Sequence, residues 1–152
     1  MRKVVNSSED RASEAYRLAK GHKKVIIFYN FDYELDILRT FGYDESFEIA
    51  EWNGHMHQPV PDSDQWIYLV QYTAGCEGWN CISTDTIIFF SQNYSYKVMA
   101  QACGRIDRLN TPFKDLYYYH LKSRSSIDLA INRAYNAKKD FNKRRFCDKL
   151  CK

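Results

Sequence analysis

Two short segments of the 152-residue chain hold residue types that could act on a phosphate. The first is Gln101-Ala102-Cys103-Gly104-Arg105-Ile106-Asp107-Arg108. Arg105 and Arg108 are three apart and Gln101 stands four before Arg105, so on a helix all three would share a face. One carboxamide and two guanidiniums on one face suit the planar, bidentate binding of phosphate oxygens. Gly104 removes side-chain bulk beside Arg105, where a partner could press. The second segment is Thr73-Ala74-Gly75-Cys76-Glu77-Gly78-Trp79-Asn80, whose glycines allow a tight turn or a close approach to another molecule. The alternative is that the arginines form surface ion pairs with Asp107, Asp115 or Glu77, and spacing alone leaves both open.

The elements around these segments predict an α/β domain with a mainly parallel sheet of about five strands and helices on both faces. Ser7 and Asp10, at capping-box spacing, start a helix that runs to about Lys20, where Gly21 is placed to end it. Val25–Tyr29 is a continuous apolar run, the pattern of a strand covered on both sides. Leu35, Ile37, Leu38 and Phe41 have helical spacing before Gly42. Phe47–Trp52, Trp66–Tyr72, Asp85–Ser91 and Leu116–Leu121 read as further strands, and His55–Gln65 as a loop. Ser95 to about Leu109 reads as a helix broken by Asn110-Thr111-Pro112. Ser125 or Ser126 caps a last helix, which runs into the tail. In such sheets ligands bind at the carboxyl ends of the strands, so the residues just after each strand are the ones to examine.

Composition agrees with one folded domain spanning 1–152, with a helix in 1–22 and a basic helical tail over 133–152. Hydrophobic residues make up 45% and charged residues 27%, enough apolar surface for a core. No apolar run approaches the ~20 residues needed to cross a bilayer, and the N-terminus has no secretory signal, so no membrane role is expected. The net charge is +3, yet Arg133–Lys152 holds eight Lys/Arg against two Asp. A basic tail on a slightly acidic body suits an anionic polymer, or a solvated helix face. Five cysteines favour reduced thiols in a cytoplasm over a disulfide frame. Cys76, Cys81, Cys147 and Cys151 with His55 and His57 could be imagined around a metal, but their spacing is not that of a zinc site, and no metal site is expected.

Gln-x-x-Gly-Arg-x-x-Arg at 101–108 resembles motif VI of superfamily 2 helicases. It follows Gly75-Cys76-Glu77-Gly78-Trp79-Asn80, which resembles motif V, at that family's separation. Upstream, Lys24–Phe31 with Asp36-Ile37-Leu38 resembles motif IV. The chain is thereby similar to the C-terminal RecA-like domain of DEAD/DEAH-box or Swi/Snf-like helicases, of phage or bacterial type. The resemblance implies a RecA-like three-layer sandwich that forms half of an ATP-driven motor. Arg108 would be the arginine finger, with Arg105 beside it on the γ-phosphate. Gln101, Glu77, Gly78 and Asn80 would complete the nucleotide side. Tyr29, Asn30, Gly54, Tyr72, Thr73 and Gly75 would meet DNA or RNA, through contacts that read phosphate and not sequence.

Departures from the family pattern are informative. The motif V threonine falls on Tyr72, with Thr73 one place late. A dozen residues stand between the second and third strands where the family has a helix, so that edge of the sheet should be trimmed. No G-x-x-x-x-G-K-[ST] and no acidic Mg²⁺-binding pair occurs in the chain, so ATP and Mg²⁺ would be held mainly by an N-terminal RecA-like domain, on the same or a separate chain. By itself the chain is expected to be inactive as an ATPase. The rival from another class is a non-catalytic nucleic-acid-binding or adaptor module that keeps the fold without the turnover.

Overall fold

In the computed structural model, which describes residues 9–72, 81–122 and 126–138, five parallel strands form one sheet in the order β2-β3-β1-β4-β5. The strands are β1 (Lys24–Tyr29), β2 (Glu48–Trp52), β3 (Trp66–Gln71), β4 (Thr86–Phe89) and β5 (Tyr117–His120). Helices α1 (Glu9–His22), α2 (Asp32–Arg39), α3 (Tyr96–Cys103) and α4 (Ser126–Asn136) connect and cover them. This is the α/β architecture expected from the apolar runs.

The three central strands are buried on both sides. Val25, Ile27 and Tyr29 of β1, Ile67 and Leu69 of β3, and Ile88 with Phe90 at β4 pack with Ala15, Leu18 and Ala19 of α1 and Leu35 and Leu38 of α2. Ile26 and Phe28, Trp66, Tyr68 and Val70, and Ile87 and Phe89 point the other way, against Met99 and Ala102 of α3 and against Ile106. Period-two alternation sends successive side chains to opposite faces, so a run can be apolar throughout only where both faces are covered. Each fully buried Leu, Ile or Phe contributes about 1.5–3 kcal/mol relative to exposure.

Several boundaries differ from expectation. Gly21 does not end α1; the helix continues through His22, and Lys23 takes the left-handed conformation (φ 69°) instead. The Lys23 amide still donates to the Ala19 carbonyl (2.8 Å), while its own carbonyl accepts from Trp66 at the start of β3 (2.9 Å). The turn is thus set by the need to enter the sheet and not by the nearest glycine. Residues 53–65 contain no helix, and β2 is a partly covered edge strand, as the short connection requires. In β5, Tyr118 hydrogen bonds to the Cys103 carbonyl (3.3 Å) and Tyr119 to the His22 ring (2.8 Å), while Tyr117 stays 42% exposed. No helix among the described residues is long and apolar enough to cross a membrane. Most of the basic tail lies outside the described residues.

One buried ion pair ties the first helix to the last. Arg11 donates to Asp128 (2.6 Å), to the Phe90 carbonyl just beyond β4 (2.7 Å) and to the Leu121 carbonyl just beyond β5 (3.2 Å). Both side chains are almost wholly buried. Removing one partner of such a pair leaves an uncompensated charge, a loss of about 3–5 kcal/mol. Asp128→Ala is therefore expected to lower the urea unfolding free energy by about 3 kcal/mol. Arg17→Ala, which breaks only the exposed Arg17–Glu14 pair, should leave the midpoint where it was.

Candidate functional site

The candidate residues divide between two opposite edges of the sheet. All five strands run the same way, so their carboxyl ends line one edge, where Asn30, Asn53, Tyr72 and Ser91 follow β1, β2, β3 and β4. Helix α3 begins beyond the carboxyl end of β4 and returns the chain to the amino edge before β5. Three hydrogen bonds fix that edge. The Cys103 carbonyl accepts from Tyr118, the second residue of β5; the Arg105 carbonyl accepts from the Cys81 amide (3.0 Å); and Thr84 donates to the Lys24 carbonyl. Arg105 and the turn carrying Arg108 therefore lie at the amino edge, a correction to the expectation that every ligand residue follows a strand.

The shared helical face does not form either. α3 ends at Cys103, six residues short of Leu109. Its last amides tighten, with Gly104 donating to Ala100 (3.1 Å) and Arg105 to Ala102 (3.2 Å). The carbonyls of Cys103 and Arg105 go to tertiary donors, and Ile106 is drawn fully into the core. Gln101 is exposed on α3, Arg105 is buried at 7% exposure, and Arg108 is exposed on a turn. Gly104 is held in ordinary helical geometry, where an added methyl would meet nothing closer than 3.4 Å.

At the carboxyl edge the side chains of Tyr29 and Tyr72 are part of the core. Tyr29 is 0% exposed, and burial pushes its phenol up to about 12. Tyr72 is 1% exposed, stacks on Phe28 (5.2 Å) and donates to the Ser91 carbonyl (2.8 Å). Any contact to a polymer at these two positions would have to come from the backbone, because both side chains are covered. Asn30 is a hub. Its side-chain Nδ2 donates to Ser91 Oγ (2.8 Å) and the Gln92 carbonyl (3.1 Å), and its side-chain oxygen accepts from Asn93 (2.9 Å). Its carbonyl accepts from Gln71 (3.2 Å). Asn30 thus joins the ends of β1, β3 and β4.

Gly54 lies exposed in a tight turn after β2, with open space where a Cβ would stand. Buried Asn53 builds that turn: its side-chain oxygen accepts from the amides of His55 (2.8 Å) and Met56 (3.0 Å), and its own amide donates to the Met56 carbonyl (2.8 Å). His57 then stacks on Trp52 (4.5 Å between rings). Asn53, Gln71 and Asn93 were missed in sequence; the Asn53-Gly54 pair is a turn signal, but nothing local marks Gln71 or Asn93. Thr73, Gly75, Glu77, Gly78 and Asn80 lie outside the described residues. Among the described residues no group of three His, Cys, Asp or Glu could hold a metal ion; Cys81 is buried beside Ser83 (3.2 Å), while Cys76, Cys147 and Cys151 fall outside them.

The unequal burial of the two arginines is directly measurable. Arg105→Ala is expected to lower unfolding free energy by about 2 kcal/mol, because a packed side chain and its desolvated polar neighbours lose their fit. Arg108→Ala, at an exposed position, should cost no more than about 0.5 kcal/mol. Equal losses would contradict this division of roles.

No family model matches the chain. It is 30% identical over 133 residues to lymphoid-specific helicase of Homo sapiens, covering 82% of this chain and 16% of that protein. It is 28% identical over 131 residues to ATP-dependent DNA helicase DDM1 of Arabidopsis thaliana, covering 79% and 17%. Against ISWI chromatin-remodeling complex ATPase ISW2 of Saccharomyces cerevisiae it is 25% identical over 122 residues, covering 74% and 11%. The chain thus spans less than a fifth of these relatives' length. In fold it matches the crystal structure of the C-terminal part of the Fun30 ATPase domain, with a TM-score of 0.73 and 22% identity over 88% of this chain and 46% of that one. The fold is therefore the RecA-like α/β sandwich. These relatives are human, plant and yeast proteins, and they lend the phage or bacterial type no support. By sequence, the chain is homologous to a segment of the Swi/Snf-type superfamily 2 chromatin-remodeling ATPases.

Proposed function

We propose that the chain is the C-terminal motor domain of an ATP-dependent nucleic-acid translocase, with Arg108 as the arginine finger. The observation that carries this reading is the contrast at the amino edge. Arg108 stands exposed on a turn whose base is anchored by buried Ile106 and the Arg105–Cys81 hydrogen bond. A solvent-exposed guanidinium on such a turn lies where phosphate oxygens held by another domain could reach it. Arg105, packed beneath the same turn, acts as a positioning residue, and exposed Gln101 lies one helical turn before it. Glu77, Gly78 and Asn80, which the motif V resemblance assigns to the nucleotide, lie outside the described residues.

ATP and its Mg²⁺ would be gripped by a P-loop-bearing RecA-like half. When bound, they supply the phosphoryl group and the metal charge; this chain's part is to place positive charge beside the transferring group. A finger supplied across an interface makes hydrolysis depend on domain closure, so chemistry can drive movement. The nucleic acid, DNA by analogy with the relative named a DNA helicase, would lie on the opposite edge. There the exposed turn at Gly54 and the loop latched by Asn30 offer backbone amides and small polar groups, with Thr73 and Gly75 in the segment that follows β3. The side chains of Tyr29 and Tyr72 drop out of that track and hold its floor.

The test is reconstitution. This chain, a P-loop-bearing RecA-like half of such a motor, DNA and ATP are mixed and phosphate release is followed. Arg108→Ala is expected to lower the maximal rate by about 10³-fold. An unchanged rate would overturn the finger assignment. DNA binding by this chain alone, with no effect on any ATPase, would favour the adaptor reading.

A further inference from the structure

Leu109 is fully exposed, immediately after Arg108. A lone exposed leucine on a protein surface is ordinary; its position here is not. The Thr111 amide donates to the Arg108 carbonyl (3.1 Å), closing a four-residue turn with Leu109 and Asn110 at its two corners. Such corners favour Pro, Asn, Asp, Ser or Gly, and a large aliphatic side chain gains nothing there from its own domain. The turn is fixed on both sides. Before it, Ile106 is buried and the Arg108 amide donates to the Ile106 carbonyl (3.1 Å); after it comes Pro112, with its locked backbone angle. A second exposed aliphatic, Ile82 at 39%, follows Cys81, whose amide is bonded to Arg105.

We infer that Leu109 is the apolar anchor by which this amino edge docks on the ATP-holding half of the motor, with Ile82 supporting it from the neighbouring segment. The inference rests on the motor reading. A domain that receives the Arg108 guanidinium must come within a few ångströms of the next residue in the chain. Leu109 projects from a hydrogen-bonded corner, so it meets that surface with little conformational entropy left to lose. Burial of one aliphatic anchor at the centre of an interface is the type of contact that sets association, whereas the guanidinium acts on developing charge. The two adjacent residues therefore divide the work: Leu109 holds the closed arrangement, and Arg108 uses it.

This division separates in a titration. The full chain is added in increasing amounts to the P-loop half with saturating ATP and DNA, and turnover is recorded. Leu109→Ser is expected to raise the half-saturating concentration about tenfold and leave the plateau rate within about twofold of the parent. Leu109→Met, still apolar and of similar volume, should titrate like the parent. Arg108→Ala should lower the plateau and leave the half-saturation point nearly in place. If Leu109→Ser titrates like the parent while Arg108→Ala still loses the plateau, the anchor is wrong and the motor reading stands. The anchor also fails if Leu109→Met weakens association as much as Leu109→Ser does. If Arg108→Ala keeps the full plateau, the motor reading itself fails, whatever Leu109 does.

Discussion

Burial of β1, β3 and β4 on both faces is the constraint from which the rest of the arrangement follows. Strands that are apolar on both sides must be covered by helices on both sides, and parallel neighbours must be joined by crossovers that return the chain to the starting edge. α1 and α2 take one face, α3 the other, and each crossover turns twice, once at each edge of the sheet. Loops at the two edges are thereby held a strand's length apart by a packed slab. Two chemistries can be kept separate and still be coupled through one rigid body.

That geometry explains the unequal fates of neighbouring residues. Tyr29 and Asn30 are adjacent, yet one closes the core while the other ties three strand ends together. Arg105 and Arg108 are three apart, yet one is packed and the other exposed. In both cases the dividing line is where a regular element stops. The helix stops at Cys103 because its carbonyls and those just beyond have partners elsewhere in the fold, and β1 stops where Asn30 trades the ladder for side-chain bonds. In the motor proposed for this chain, one edge would meet a nucleotide clasped by a second domain and the other a polymer backbone.

Much of this was legible in the chain. The apolar runs at Val25–Tyr29, Trp66–Tyr72 and Thr86–Phe90 identify covered parallel strands because no half-exposed strand could be so uniformly apolar. The short His55–Gln65 stretch correctly implied an edge without its helix. Less was legible at element ends. Gly21 and the Arg105–Leu109 stretch depart from the sequence pattern because the chain there leaves the helix to accept tertiary hydrogen bonds, from Trp66 in the first case and from Tyr118 and Cys81 in the second. The side-chain direction of Tyr29 and Tyr72 could not be read either. It depends on which residue of a doubly covered strand is last, and an apolar run has no phase. The arginines were sought at the strand-end edge and lie at the far one, because a crossover helix antiparallel to the strands carries them there.

The central claim is that the amino edge faces nucleotide and the carboxyl edge faces nucleic acid. Hydrogen exchange of backbone amides tests it most directly, compared for the chain alone, with DNA, and with the P-loop half loaded with a non-hydrolysable ATP analogue. The account expects DNA to slow exchange at 30–33 and 53–57 and the loaded half to slow it at 81–84 and 104–111. Protection of one and the same edge by both would contradict it.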